Sequence, residues 1–192
     1  MTSKKELRKA VLAMRRKLDD ETVALNSQVI CRKIIGISEY EEAENLCIYM
    51  PINNEVDVTL LAEMAKEDGK RVWIPKIITR HEEGKAGKMV FNEYLGAEED
   101  NFQMGEYKIL ESKSEDILEP SEKTLILMPG AVFTPWRDRI GYGGGFYDRF
   151  LDENPKCSTI AVCHSLQIVD EIETDEFDKK PDFIVTETSI YR

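Results

Sequence analysis

The sequence predicts a single α/β domain, in which helices flank a mainly parallel or mixed sheet. Three observations indicate this class. Short apolar runs typical of buried strands recur along the 192-residue chain, helical patterns lie between them, and no internal repeat or low-complexity segment interrupts the alternation. A chain of this length can bury a substantial core, so we expect one domain over residues 1–192.

The first element is predicted to be a helix that begins at a capping box. Ser3 and Glu6 have the spacing at which each side chain can bond the other residue's backbone N–H. Apolar residues then recur at helical spacing, at Leu7, Ala10, Val11, Met14 and Leu18. A second helix is predicted over residues 22–35.

The next elements are predicted to be a strand, a helix and a second strand. Residues 45–50 form an apolar strand pattern that ends at Pro51. Asp57 is placed to cap the following helix, and Gly69 is placed to stop it. Residues 71–75 then form the next strand. This alternation predicts crossover units and therefore parallel strand pairs.

Residues 78–122 interrupt the regular pattern. They are rich in Glu, Lys and Gly, and their credible strand fragments are residues 89–91 and 107–110. Segments this long without regular structure are usually functional or mobile, so we expect an irregular antiparallel insertion or lid. The pattern then returns, with strands over 124–128, 158–162 and 183–186 and a helix over 147–151.

The charge balance restricts the classes of partner. The net charge is −11, from 26 basic and 37 acidic residues, which argues against nucleic acid. An anionic small molecule remains possible because a pocket can be locally positive on an acidic protein. No apolar stretch approaches the roughly 20 residues that span a bilayer, and the N-terminus lacks a secretory pattern. We therefore expect a cytoplasmic protein without membrane contact.

The cysteines and histidines give no metal-binding pattern. The four cysteines show no C-x-x-C spacing, and His81 and His164 are the two histidines. A tetrahedral zinc site normally needs clustered ligands of these types. Zinc is therefore not expected, and the cysteines are predicted to be buried thiols.

Residues 139–148, here called the glycine segment, are the strongest candidate for a functional site. Four glycines within five positions allow the backbone to approach a ligand and to turn its N–H groups toward an anion. Arg139 adds a guanidinium suited to phosphate, and Asp148 adds an oxygen suited to magnesium. A turn selected for its shape alone is the alternative. The Arg before the glycines and the Tyr147–Asp148 pair after them favour a phosphate site.

The glycine segment reads Arg-Ile-Gly-Tyr-Gly-Gly-Gly-Phe-Tyr-Asp and follows Met-Pro-Gly-Ala-Val-Phe at residues 128–133. It resembles the signature of the 5-formyltetrahydrofolate cyclo-ligases, also called methenyltetrahydrofolate synthetases. Shorter matches at residues 4–8, 50–57, 74–76 and 178–187 extend the resemblance over nearly the whole chain. The resemblance implies ATP- and Mg²⁺-dependent cyclisation of 5-formyltetrahydrofolate, with or without a polyglutamate tail, by a monomer.

The resemblance also implies roles for individual residues. The implied ATP-binding residues are Lys4, Lys5, Glu6, Leu7, Arg8, Arg139, Ile140, Gly141, Tyr142, Gly143, Gly144, Gly145, Phe146 and Tyr147. The implied folate contacts are Met50, Glu55 and Phe146. The residues expected to take part in catalysis are Arg139 and Tyr147, and the carboxylates expected near magnesium are Asp148 and Asp182.

Each of these roles has an alternative that involves no ligand. The basic residues of the first helix could be solvated, although positive charge at a helix N-terminus opposes the helix dipole. Glu55 could be an exposed loop residue, Met50 a core residue and Asp182 part of a turn into a strand. Phe146 and Tyr147 could pack the glycine segment onto the sheet.

Two other classes of function remain open from the sequence. A sugar-phosphate isomerase or CoA-transferase-like enzyme could use a similar scaffold without ATP, because a fold does not determine a function. Such an enzyme would not need Lys4, Asp148 and Asp182 together. A non-catalytic nucleotide- or folate-binding protein could keep the glycine segment and lack turnover.

Overall fold

The computed structural model describes residues 3–78, 87–105, 107–175 and 178–192, which form five α-helices and eleven β-strands. The helices are α1 Lys4–Arg15, α2 Asp20–Ile35, α3 Ser38–Glu42, α4 Leu60–Glu67 and α5 Phe146–Glu153. The strands are β1 Asn45–Cys47, β2 Arg71–Ile78, β3 Lys88–Glu93, β4 Phe102–Met104, β5 Leu110–Ser112, β6 Thr124–Met128, β7 Val132–Phe133, β8 Arg139–Ile140, β9 Ser158–Val162, β10 Phe183–Val185 and β11 Ile190–Tyr191. None of these described helices combines the length and apolarity needed to cross a bilayer.

A seven-stranded sheet forms the centre of the domain, in the order β11-β10-β9-β6-β1-β2-β3. The five inner strands pair in parallel, and β11 and β3 pair antiparallel at the two edges. The predicted α/β class with a mainly parallel or mixed sheet is confirmed. Alternate residues of β6 enter different core clusters, Leu125 and Leu127 on one face and Ile126 and Met128 on the other. Both faces of the sheet are therefore covered at this strand, which explains why β6 is buried at every residue.

The predicted elements before residue 78 are confirmed, with small changes in length. Ser3 and Glu6 form the expected capping box at the start of α1. Asp57 is not the predicted cap of α4: Thr59 is the N-cap, and the Asp57 carboxylate accepts a hydrogen bond of 3.0 Å from the Thr59 N–H. Gly69, at φ 78°, follows that helix as predicted. The strand predicted over 45–50 is shorter and ends at Cys47. The Ile48 N–H still donates to the Trp73 carbonyl, and the chain leaves the sheet after that bond.

The insertion is antiparallel, as predicted, but one of its strands is misplaced in the prediction. β3 includes the predicted fragment 89–91 and pairs with β2. The fragment predicted over 107–110 is wrong: Tyr107 and Lys108 lie between β4 and β5, and Lys108 has a φ of 57°, which a strand residue does not adopt. Residues 79–86, with His81, lie outside the described residues.

The connections at the carboxyl ends of the parallel strands bring distant segments together. The chain after β6 forms a short hairpin, β7–β8, and continues into the glycines before α5. Helix α1 packs Leu7 and Val11 against Val132 and Ile140 of that hairpin. Ligands of open α/β sheets bind at this edge, so the fold places α1 and the glycine segment where a site is expected.

Candidate functional site

A cavity of about 540 Å³ opens at this edge of the sheet. Most of the sequence-predicted site residues line it, namely Lys4, Arg8, Met50, Glu55, Arg139, Ile140, Gly141, Tyr142, Gly143, Gly144, Gly145, Phe146, Tyr147 and Asp148. Three predicted ATP contacts do not line it. Lys5 and Glu6 are exposed, with Glu6 bonded to Ser3, and Leu7 packs against the hairpin because it belongs to the apolar stripe of α1.

The glycines adopt backbone conformations that other residues avoid. Gly143 has a φ of 97° and Gly145 a φ of 62°. Gly145 is the N-cap of α5, and Gly145 and Phe146 both line the cavity, so the N-terminus of this helix lies at the cavity wall. Unpaired N–H groups and the helix dipole both favour an anion at such a position. The backbone conformation therefore fits the predicted phosphate site.

Two guanidinium groups flank these glycines. Arg139 is 7% exposed, and its Nη2 donates to Asp148 Oδ1 at 2.7 Å. A Cβ added at Gly143 would lie 3.6 Å from Arg8 Nη1, so Arg8 lies against the glycine segment. The buried Nε atoms of Arg8 and Arg139 have no hydrogen-bond partner among the described residues. Buried donors are normally bonded, so the hydrogen bonding of these two guanidinium groups is incomplete within the described part of the chain.

Lys4, in contrast, already has partners in the cavity wall. Its ammonium donates to Asp178 at 2.8 Å and to Asp175. Burial opposes the charge, but the two carboxylates outweigh burial and hold the pKa of Lys4 above its ordinary value. Lys4 can contact a phosphate only by exchanging these acidic partners for it. We call the wall formed by Lys4, Arg8, Arg139 and residues 143–145 the glycine end of the cavity.

Glu55 also lines the cavity and is only 5% exposed, so the alternative of an exposed loop residue does not apply. Its Oε2 accepts a bond of 3.0 Å from Ile52 N–H, and its Oε1 accepts one from the Tyr142 hydroxyl. Burial raises the pKa of Glu55, while the Tyr142 hydrogen bond and the charge of Arg15 oppose that rise. We call Arg15, Glu55 and Tyr142 the Glu55 cluster.

Arg15 is the functional candidate that the sequence reasoning missed. It is 1% exposed, donates to Tyr142 Oη at 2.8 Å and to the Asn53 carbonyl at 3.1 Å, and lies 3.6 Å from Glu55 Oε1. A signal was present in the sequence, because Arg15 falls four residues after Val11 on the apolar stripe of α1. A charged residue on a buried stripe needs a polar partner.

An apolar wall joins the two ends of the cavity. Met50 lines it while also packing against the core, so the two interpretations of this residue are compatible. Tyr107, from the insertion, meets Phe146 edge to face with ring centroids 5.4 Å apart. Other apolar residues of the wall are Pro75, Ile77, Met89 and Ile109. The Tyr147 hydroxyl is buried with no partner among the described residues, and burial raises its pKa.

The two carboxylates expected near magnesium are not brought together. Asp148 lines the cavity, but Asp182 does not. Asp182 precedes β10, and its carboxylate accepts bonds of 2.8 and 2.9 Å from the N–H and hydroxyl of Thr159 near the start of β9. Asp182 is therefore a residue of the turn into β10. Residues that precede a parallel strand lie at the edge of the sheet opposite to the carboxyl ends of the strands, where the cavity opens. The described residues contain no group of three or more metal-ligating side chains.

Comparison with known proteins gives a consistent result. The family model described as the 5-formyltetrahydrofolate cyclo-ligase family matches residues 1–187. The chain is 27% identical to the probable 5-formyltetrahydrofolate cyclo-ligase of Schizosaccharomyces pombe, over 98% of this chain and 97% of that protein. It is 28% identical to the 5-formyltetrahydrofolate cyclo-ligase of Escherichia coli K12, over 78% and 81%.

Solved structures show the same architecture. The NMR structure of Aquifex aeolicus 5,10-methenyltetrahydrofolate synthetase superposes with a TM-score of 0.81 at 26% identity, covering 98% of this chain and 92% of that chain. The fold is also that of a 5,10-methenyltetrahydrofolate synthetase from Mycoplasma pneumoniae, with a TM-score of 0.75 at 24% identity and coverage of 97% and 99%.

Proposed function

The chain belongs to the 5-formyltetrahydrofolate cyclo-ligase family, and we propose that it converts 5-formyltetrahydrofolate to 5,10-methenyltetrahydrofolate, consuming ATP and releasing ADP and phosphate. One observation carries the proposal: a single cavity has an anion-binding end, an apolar wall and a buried carboxylate. A nucleotide triphosphate and a folate need these three environments side by side. One chain provides all three, which fits the monomer that we propose, and the cytoplasmic location remains a proposal from the sequence.

The glycine end is the proposed site of the ATP phosphates. Residues 143–145 line the cavity, and Arg8 and Arg139 each have a buried Nε without a partner among the described residues. Asp148, which lines the cavity and accepts a hydrogen bond from Arg139, is the proposed ligand of magnesium, an ion that usually needs only one or two protein carboxylates. Such an ion would neutralise charge on the phosphates.

The Glu55 cluster is the proposed site of the folate ring system. The Glu55 carboxylate can accept hydrogen bonds from N–H groups of the pterin, because an ionised carboxylate is an acceptor only. Met50 and Phe146 line the cavity beside it and offer apolar contacts to the faces of aromatic rings. A polyglutamate tail, which is attached at the far end of the folate from the pterin, would extend away from this cluster.

The proposed reaction has two steps. The formyl oxygen attacks the terminal phosphorus of ATP, an oxygen–phosphorus bond forms, and ADP leaves. N10 of the folate then attacks the formyl carbon and loses its proton, and the carbon–oxygen bond breaks as phosphate departs. Neither step needs a protein nucleophile, so the protein contributes positioning and charge neutralisation. Arg139 and the Tyr147 hydroxyl are the proposed donors to the transferring phosphoryl group.

The direct test is to mix the protein with Mg-ATP and 5-formyltetrahydrofolate and to follow methenyl absorbance. We expect product to form only when both substrates are present. An isomerase or transferase that works without ATP would form no methenyl product. A non-catalytic protein would bind either ligand in calorimetry without turnover, so the three classes give three different results.

A further inference from the structure

Arg15 presents an electrostatic problem that the fold must solve. It is a fully buried cation, and a guanidinium keeps its charge at all ordinary pH values. A buried charge is strongly destabilising unless it is paired and hydrogen-bonded. Among the described residues, Glu55 is the carboxylate that lies within ion-pair distance of Arg15, at 3.6 Å. The ionised Glu55 carboxylate therefore balances the permanent charge of Arg15.

The Tyr142 hydroxyl connects these two charges. It accepts a hydrogen bond of 2.8 Å from Arg15 Nη1 and donates one to Glu55 Oε1. Arg15 also holds the backbone of the loop that carries Glu55, donating to the carbonyls of Asn53 at 3.1 Å and Ile52 at 3.5 Å. One guanidinium thus fixes both the carboxylate and its loop.

Arg15 does this without lining the cavity. Glu55 and Tyr142 both contribute to the cavity wall, whereas Arg15 does not. From this geometry we propose that Arg15 is a positioning residue, which acts through the Tyr142 hydroxyl to hold the Glu55 carboxylate ionised and oriented for the folate substrate. The inference deepens the proposed function and rests on Glu55 as the folate contact.

Few groups other than Arg15 can stabilise the charge of Glu55. The titratable groups that face it are Arg15 from α1, Tyr142 from the glycine segment, Tyr49 two residues after β1 and Tyr147 from α5. The Tyr49 hydroxyl is engaged with the Val56 carbonyl at 2.9 Å, so it does not donate to Glu55. Burial raises the pKa of Glu55. Without Arg15, mainly the hydrogen bonds from Tyr142 and Ile52 would counteract that rise.

The kinetic test compares Arg15→Met with Arg16→Met. Arg16 is the adjacent arginine, is exposed and has no role in the site, so its variant is a matched control. We expect Arg15→Met to raise the KM for 5-formyltetrahydrofolate about tenfold or more while the KM for ATP changes little. In a Glu55→Gln background the same substitution should have almost no further effect on folate KM. Additive effects in that background would overturn the proposal.

A second measurement does not depend on turnover. The Glu55 carboxyl, labelled with ¹³C, is titrated by NMR in the ligand-free protein. Its pKa should rise in Tyr142→Phe and in Arg15→Met, should be restored in part by Arg15→Lys, and should stay unchanged in Arg16→Met. An unchanged titration in both Tyr142→Phe and Arg15→Lys would overturn the proposal even if Arg15→Met failed to fold. Wild-type protein that forms no methenyl product would refute the proposed function and leave this titration interpretable.

Discussion

The glycine end and the Glu55 cluster line one cavity but differ in how many of their polar atoms are already hydrogen-bonded. At the glycine end, Gly143 and Gly144 are exposed, and two guanidinium Nε atoms have no partner among the described residues. In the Glu55 cluster, the three side chains already bond one another. The comparison indicates that the glycine end is completed by its ligand, whereas the Glu55 cluster is organised in advance.

The largest expected effect breaks the glycine end. Gly143→Val places a β-branched residue at a φ of 97°, which costs about 1–3 kcal/mol of strain and moves the N–H groups. We expect ATP affinity, measured by calorimetry, to fall about a hundredfold. Gly69→Val is the control, because Gly69 also has a positive φ but lies after α4, outside the cavity wall. Normal ATP affinity in a folded Gly143→Val variant would favour a turn selected only for shape.

The next effect concerns the guanidinium groups. Arg8→Ala and Arg139→Ala should each raise the KM for ATP about tenfold or more, because each loses a charge-assisted contact with phosphate. Lys4→Ala should have a smaller effect, since Lys4 must first release Asp175 and Asp178. Arg16→Ala serves as the exposed control. Unchanged ATP affinity in both guanidinium variants would contradict the assignment of phosphates to this end.

The carboxylates give a smaller and more selective effect. Asp148→Asn should lower activity several-fold, by about 1 kcal/mol, and high Mg²⁺ should restore part of it. Asp182→Asn should instead lower the free energy of unfolding by about 1 kcal/mol, because it weakens the two bonds from Thr159. Kinetics across a Mg²⁺ series, together with urea unfolding, separate the two. A Mg²⁺ response in Asp182→Asn would return this residue to the metal site.

The smallest effect concerns the Glu55 side, where His164 contacts the Asn54 carbonyl at 3.1 Å. His164 is fully buried, and burial lowers its pKa below the ordinary value of 6.5. The unfolded chain then binds the proton more readily than the folded chain. The contribution of His164 to the free energy of unfolding is therefore complete above pH 6.5 and is lost as pH falls through the folded-state pKa. One proton limits this slope to about 1.4 kcal/mol per pH unit. Urea unfolding between pH 7.5 and 5 should show it in the parent and less of it in His164→Gln; equal slopes would contradict it.

The same contrast explains how much of the site the sequence could reveal. The core of the glycine end lies in ten consecutive residues, so its residue types and spacing are visible in the chain itself. The Glu55 cluster joins positions 127 residues apart between Arg15 and Tyr142, and 87 apart between Tyr142 and Glu55. Glu55 was identified through a family resemblance, but its partners depend on how α1 docks on the hairpin.

The fold shows a similar division. The buried strands β6 and β9 were predicted correctly, because continuous apolar runs are unambiguous once both faces of a sheet are covered. The short hairpin strands β7 and β8, and β4 in the insertion, were not predicted. Two or three residues provide too little periodicity to identify a strand. The sequence prediction put Asp182 near Asp148, whereas Asp148 lines the cavity and Asp182 does not. The edge of the sheet at which Asp182 lies depends on the direction of β10, which the sequence alone does not give.

The central claim is that the cavity brings the formyl oxygen of the folate to the terminal phosphorus of ATP. A substrate carrying ¹⁸O in its formyl group tests this claim directly, with mass spectrometry of the released phosphate. The account predicts one labelled oxygen in phosphate per turnover, because the formyl carbon–oxygen bond is the bond that breaks. Unlabelled phosphate, formed alongside methenyltetrahydrofolate, would mean that water hydrolyses ATP and would contradict the phosphoryl transfer.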